Sequence, residues 1–224
     1  MRNISLSKLF KIFVIIFLSS YSFYSYSQLA IGGGLNSVVA FGVKKPYPGL
    51  HLFGEMREDD QSYYLKINST LKQASLEGTV NLDPLVDTLE SGTTSADLTF
   101  KYTNIEVGKR YYFGQDIDYG FSAFGGTHVS MIFNKASIRT GNYDKSMYQT
   151  PTSESGSILG LAVGLNGGIQ QAYYFGTIYF DAGLNYLITA IPSNQLASDC
   201  ISTYGLVKSV SFTFNIGYKR SIIW

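Results

Sequence analysis

The chain has 224 residues, a formal net charge of +1 and only 15% charged residues, so it carries no electrostatic field suited to nucleic acid. Gly (23), Tyr (18) and Phe (15) are abundant, which favours strands and turns over helices, and the single cysteine, Cys200, excludes an intrachain disulfide.

Residues 1–27 read as a cleaved export signal. Arg2, Lys8 and Lys11 form a basic start, Ile12 to Leu18 an apolar run, and Ser25-Tyr26-Ser27 a small-residue site before Gln28. That run falls well short of the ~20 residues a membrane-spanning helix needs. With no Cys at the cleavage point, a lipid anchor is not expected. Residues 28–224 then form one domain by size.

Along this domain the sequence repeats one pattern, strict apolar/polar alternation, which marks strands with two unlike faces. Leu29 to Phe41 sets Leu29, Ile31, Leu35, Val39 and Phe41 against Ala30, Gly32, Gly34 and Asn36. The Pro and Gly of Lys44–Gly49 predict a turn. Leu50 to Arg57 sets Leu50, Leu52 and Met56 against His51, Phe53, Glu55 and Arg57. After a polar turn at 58–61, Ser62 to Lys72 sets Tyr63, Leu65, Ile67 and Leu71 against Tyr64, Lys66, Asn68 and Thr70.

Gln73 to Asp97 is long and polar and reads as a loop with room for a short extra hairpin. In Leu98 to Phe113, Ile105, Val107, Lys109 and Tyr111 oppose Asn104, Glu106, Gly108, Arg110 and Tyr112. Phe100 and Tyr102 break the rule that apolar residues share the Ile105 face, which predicts a bulge near Thr103. After a turn at 114–118, Tyr119 to Asn134 places Phe121, Ala123, Val129 and Met131 opposite Ser122, Gly126, His128 and Ser130. A second long loop, 135–156, follows. In Ser157 to Tyr173, Leu159, Leu161, Val163, Leu165 and Ile169 oppose Gly160, Ala162, Gly164, Asn166 and Gln170. Beyond a tight turn at 174–176, Thr177 to Thr189 sets Ile178, Phe180, Leu184 and Tyr186 against Tyr179, Asp181, Gly183 and Asn185. A third loop, 190–203, holds Cys200. In Ser209 to Tyr218, Val210, Phe212, Phe214, Ile216 and Tyr218 face away from Ser211, Thr213, Asn215 and Gly217. The count is about eight strands.

Three features decide which solvent each face sees. The polar faces carry small residues and a few ions of both signs, which suits the filled interior of an eight-stranded barrel better than a water-facing sheet. Short and long connections alternate, with Lys44–Gly49 short on the long side. Aromatics gather at one level: Tyr111, Tyr112, Phe113 and Tyr119 flank one short turn, Tyr173, Tyr174 and Phe175 another, and Tyr218 ends the last strand, as an interfacial girdle would. The expected fold is all-β, a closed antiparallel transmembrane β-barrel with both termini on the periplasmic side.

The alternating strands, the stretch Tyr102-Thr103-Asn104-Ile105-Glu106-Val107-Gly108-Lys109-Arg110-Tyr111-Tyr112-Phe113 and the terminal strand resemble the small eight-stranded outer-membrane barrels of Gram-negative bacteria, of the OmpX/OmpA-like and PorT-like types. The resemblance implies an outer-membrane location. Its PorT-like side implies a place in protein secretion machinery. At the end of the chain, Arg220 is in phase with the lipid face. Either it snorkels to the inner headgroups or the strand stops at Tyr218 with a short tail. The role of Trp224 in assembly is open.

The candidate site is an ionic cluster on the lumen face: Glu55, Arg57, Lys66, Glu106, Arg110 and Asp181. Ions in a narrow interior must pair to offset desolvation, so the cluster is expected to plug the lumen rather than line a selective pore. His128 and Ser130 share a face, but no carboxylate is placed to orient His128, and the triad criteria are not met. His51, His128 and Cys200 have no metal-ligand spacing. Gly32-Gly33-Gly34 opens no helix, so no phosphate loop is indicated. No cofactor is expected. The chain reads as a non-enzymatic outer-membrane protein. Its expected partners are membrane lipid and other envelope proteins, the latter through loops 73–97, 135–156 and 190–203. A small lipid-modifying outer-membrane enzyme, a narrow pore and a secreted soluble β-barrel binding protein are the alternatives.

Overall fold

The computed structural model describes residues 28–39, 46–71, 73–82, 84–85, 90, 92–114, 117–142, 144–148, 155–193 and 210–223. Residues 1–27, expected to be an export signal, and Phe41, Cys200 and Trp224 lie outside the described residues. Among the described residues nine strands form one antiparallel sheet: β1 (Gln28–Val39), β2 (Tyr47–Glu58), β3 (Gln61–Thr70), β4 (Gln73–Leu82), β5 (Gly92–Phe113), β6 (Phe121–Thr140), β7 (Ser155–Tyr173), β8 (Gly176–Pro192) and β9 (Val210–Ile223). Their order is β3-β2-β1-β9-β8-β7-β6-β5-β4, and β3 also pairs with β5.

That extra pairing closes an eight-stranded barrel. β5 is 22 residues long and has two partners in succession along one edge. Thr103 to Tyr111 pair with β3, and Gly92 to Phe100 pair with β4. The segment 73–97 therefore holds β4 and the start of β5, an extra hairpin that stands beyond the closed barrel. Closure leaves no unpaired edge at membrane depth, which lipid demands because it cannot hydrogen-bond a bare backbone. β1 and β9 seal the seam over eleven residue pairs, from Leu29–Ile223 to Val39–Phe212, with one shift between Leu29 and Ala30.

The start of β1, the end of β9 and the short connections after β2, β5 and β7 lie at one end of the barrel, the periplasmic end in the outer-membrane pattern. β5 and β6 are longer than the ~9–11 residues that cross a bilayer, so both project past the opposite, outer face.

Several expected boundaries shift. β2 starts at Tyr47, inside the expected Lys44–Gly49 turn, because Tyr47 and Pro48 pair with Val38 and Ser37. No bulge occurs at Thr103, since β5 pairs with β6 without a shift from Ala96 to Phe113. The irregularity sits instead on the partner side, between Ala74 and Leu76 of β4. Phe100 and Tyr102 are fully buried on the same face as Asn104 and Glu106, so the phase never changes. What changes is the filling of the lumen, which is apolar at this level. β9 runs on to Ile223, so the short-tail reading of the chain end is wrong. Lys219 continues the lumen face and Arg220 is exposed on the outside.

Candidate functional site

The barrel is inside out relative to a soluble protein. Leu52 is 68% exposed and Leu35 61%, whereas Lys66 and Asp181 are 0% exposed. Water would penalise such a surface and hydrocarbon would not. Among the described residues no helix is long and apolar enough to cross a membrane. The strands supply the crossing.

The lumen is built in layers because successive inward residues on every strand alternate with outward ones. Nearest the inner end, the Lys219 Nζ donates to Glu55 Oε2 at 2.6 Å and lies 3.2 Å from the Tyr112 hydroxyl, which itself donates to Glu55. One layer outward, the Arg110 guanidinium packs over the rings of Tyr64 (4.2 Å to the centroid), Phe124 (4.6 Å) and Phe53 (4.8 Å). Its Nη2 reaches Asp181 Oδ2 at 3.0 Å. Lys66 bridges Asp181 (3.2 Å) and Glu106 (3.0 Å). Asn215 donates to Asp181 at 2.5 Å, and Asn68 and Asn104 both donate to Glu106 at 2.8 Å.

The buried acids Glu55, Glu106 and Asp181 are thus matched by the buried bases Lys66, Arg110 and Lys219. The charge sums to zero, as a low-dielectric interior requires. Further outward, Val38, Tyr47, Phe100, Tyr102, Ile132 and Ile158 fill the lumen with apolar groups. Tyr47 and Phe100 have ring centroids 6.2 Å apart.

Of the six cluster residues expected from the sequence, the structure brings together Glu55, Lys66, Glu106, Arg110 and Asp181. Arg57 stands apart at the inner mouth, where it pairs with Asp118. A cavity of about 120 Å³ opens there between Arg57, Asp118, Gln170, Tyr174 and Lys219. Lys219 is the member that the sequence reading missed. It was legible by extending the alternation of Thr213, Asn215 and Gly217 two residues further.

The aromatic girdle is present in part. Tyr111, Phe113, Tyr119, Tyr173, Tyr174 and Tyr218 are exposed at the inner end. Phe175 stacks on Tyr173 (5.1 Å) and on Tyr218 (6.4 Å). Tyr112 is not in the girdle: its neighbour Tyr111 points outward, so Tyr112 must point into the lumen, where it is buried.

His128 and Ser130 are also lumen residues. His128 Nε2 lies 2.6 Å and Ser130 Oγ 3.3 Å from Asn185 Oδ1, so both turn toward an amide rather than toward each other, and among the described residues no carboxylate orients the imidazole. His51 Nε2 lies 2.5 Å from the Tyr179 hydroxyl. Among the described residues no three His, Cys, Asp or Glu side chains gather as a metal site.

A closed antiparallel barrel with an apolar exterior and an ionised, side-chain-filled interior is an outer-membrane β-barrel. The chain is similar to a major outer membrane protein from Thermus thermophilus, with a TM-score of 0.53 and 10% identity over 88% of this chain and 100% of that one. It is also similar to Neisserial surface protein A (TM-score 0.46, 14% identity, 87% and 96% covered). A third match is Ail, the attachment invasion locus protein of Yersinia pestis (TM-score 0.44, 17% identity, 87% and 97% covered). At these identities the likeness is one of fold. No protein-family model and no curated protein sequence matches the chain.

Proposed function

We propose that this protein is a non-enzymatic, non-conducting outer-membrane barrel whose lumen serves stability and whose outer projection does the work. The observation that carries the reading is the charge-balanced network spanning the lumen, closed on its outer side by the Tyr47–Phe100–Tyr102 layer. Eight strands leave an interior that side chains can fill.

The outer projection has its own bracing, which suits a recognition surface. Leu85 N donates to Met147 O at 2.9 Å, and Pro84 bridges to Tyr148, tying the β4–β5 connection to the β6–β7 connection. Asp144 accepts from the Ser146 backbone N–H (2.9 Å) and hydroxyl (2.6 Å), which fixes that turn and lowers the carboxyl pKa. The partners of this surface are other envelope proteins, and the PorT-like resemblance adds a secretion assembly to the candidates.

Planar-bilayer recording tests the plug. The unmodified protein gives no single-channel steps, and Arg110→Met, which removes the cation filling the centre of the lumen, gives small ones. Steps from the unmodified protein would favour the narrow-pore reading instead.

A further inference from the structure

Five lysines lie on described strand positions, and three have obvious partners. Lys66 and Lys219 sit on lumen carboxylates, and Lys109 is held against the rings of Tyr111 (4.8 Å) and Tyr63 (5.4 Å). The other two are Lys101 of β5 and Lys135 of β6. They are directly opposite each other in the ladder, and both are exposed. Their flanking residues Phe100, Tyr102, Asn134 and Ala136 are buried in the lumen, so both lysines project outward. Among the described residues neither has a carboxylate or ring partner. Opposed residues on antiparallel strands have Cβ atoms ~5 Å apart, and like charges so placed repel.

Their level on the barrel is informative. Moving outward along the β5–β6 face, the opposed pairs are Val107–Val129, Ile105–Met131, Thr103–Phe133, Lys101–Lys135 and Thr99–Ser137. The apolar surface ends at Phe133, the lysines cap it, and hydroxyls follow. Lys101 is ten residues outward of Tyr111, which marks the inner interface. At ~3.3 Å per residue and a tilt of ~40°, that is a height of about 25 Å, the thickness of the apolar band of such barrels. The twin lysines therefore stand at the outer headgroup level. Ser157 is opposed to Lys135 on β7, and Thr99 Oγ1 lies 2.8 Å from Ser137 Oγ just above, so the surroundings offer hydroxyl donors as well.

We propose that Lys101 and Lys135 form a binding site for a phosphate group of the outer-leaflet glycolipid. A phosphate between the two ammonium groups converts the repulsion into two charge-assisted contacts. The acyl chains then lie on Phe133, Met131 and Ile105 below. This inference rests on the membrane placement of the barrel, with the short turns facing inward.

The test uses the full chain folded in detergent and titrated with phosphorylated lipid A, followed calorimetrically. Lys101→Gln and Lys135→Gln each weaken binding about fivefold and the double variant about thirtyfold, one and two surface cations' worth. Lys145→Gln, in the 144–148 turn, leaves the affinity unchanged, and lipid A stripped of its phosphates binds the unmodified protein no better than the double variant binds phosphorylated lipid A. Equal affinity of the double variant and the unmodified protein would overturn the site. Equally tight binding of phosphatidylglycerol vesicles or inorganic phosphate would overturn the assignment to the glycolipid. Heat-modifiable gel migration is recorded for every variant: its absence in the unmodified protein would refute the barrel itself, whereas its presence with unchanged lipid affinity refutes the site alone.

Discussion

Around Asp181 the lumen holds six charged side chains within a lattice of asparagines and tyrosines, whereas outward of Asn104 it holds Val38, Tyr47, Phe100, Tyr102 and Ile158, with Asn134 buried among them. Both regions bury their side chains, but by different means. The inner one is held by directional pairs, each dependent on its partner, and the outer one by volume. Loss of one inner charge strands its partner, while loss of one outer ring leaves a hole that neighbours partly fill. The apolar layer lies between the ion network and the outside, whereas Glu55 and Lys219 at the network's inner edge line the cavity at the mouth.

The largest effect is expected at the point where most partners meet. Asp181 binds Lys66, Arg110 and Asn215. Asp181→Leu leaves two cations under-compensated and destabilises the barrel by about 3–5 kcal/mol, measured by reversible urea unfolding in lipid vesicles. In the outer region, Phe100→Ala lowers stability by about 3 kcal/mol, the lower end for an aromatic truncation in a core. The two variants also separate by rescue: Phe100→Leu regains most of the loss because volume suffices, whereas Asp181→Glu does not, because geometry matters. If Asp181→Glu behaves like the unmodified protein, the distinction between the regions collapses. The smallest effect belongs to the mouth. Arg57 and Asp118 are partly exposed to solvent, so Arg57→Gln changes stability by less than about 1 kcal/mol, and what change there is disappears in high salt.

Much of this was readable from residue types. Along β2, β3, β7 and β8, alternation separates Leu52, Ile67, Leu165 and Phe180 from His51, Lys66, Asn166 and Asp181, and the structure turns the first set outward and the second into the lumen. Period two tells which residues share a face, but the side a face points to had to come from its chemistry. That inference failed wherever the lumen itself is greasy. Phe100 and Tyr102 suggested a bulge because apolar was equated with outward, and Tyr112 was placed in the girdle by its type although its phase set it beside Arg110. The long segment 73–97 was opaque for another reason. β4 stands on the projecting part of the sheet, beyond the bilayer, where no hydrocarbon imposes an apolar face and the alternation weakens. Lys219 was passed over because Tyr218 looked like a terminal aromatic, yet Lys219 completes the charge balance that a sealed lumen needs.

The central claim is that the ion network and the apolar layer together seal the barrel. Single-channel recording of the unmodified protein in planar bilayers tests it most directly. The structure predicts a silent membrane at all applied voltages, with conductance steps only after Arg110→Met. Steady ion-selective steps from the unmodified protein would contradict the sealed lumen.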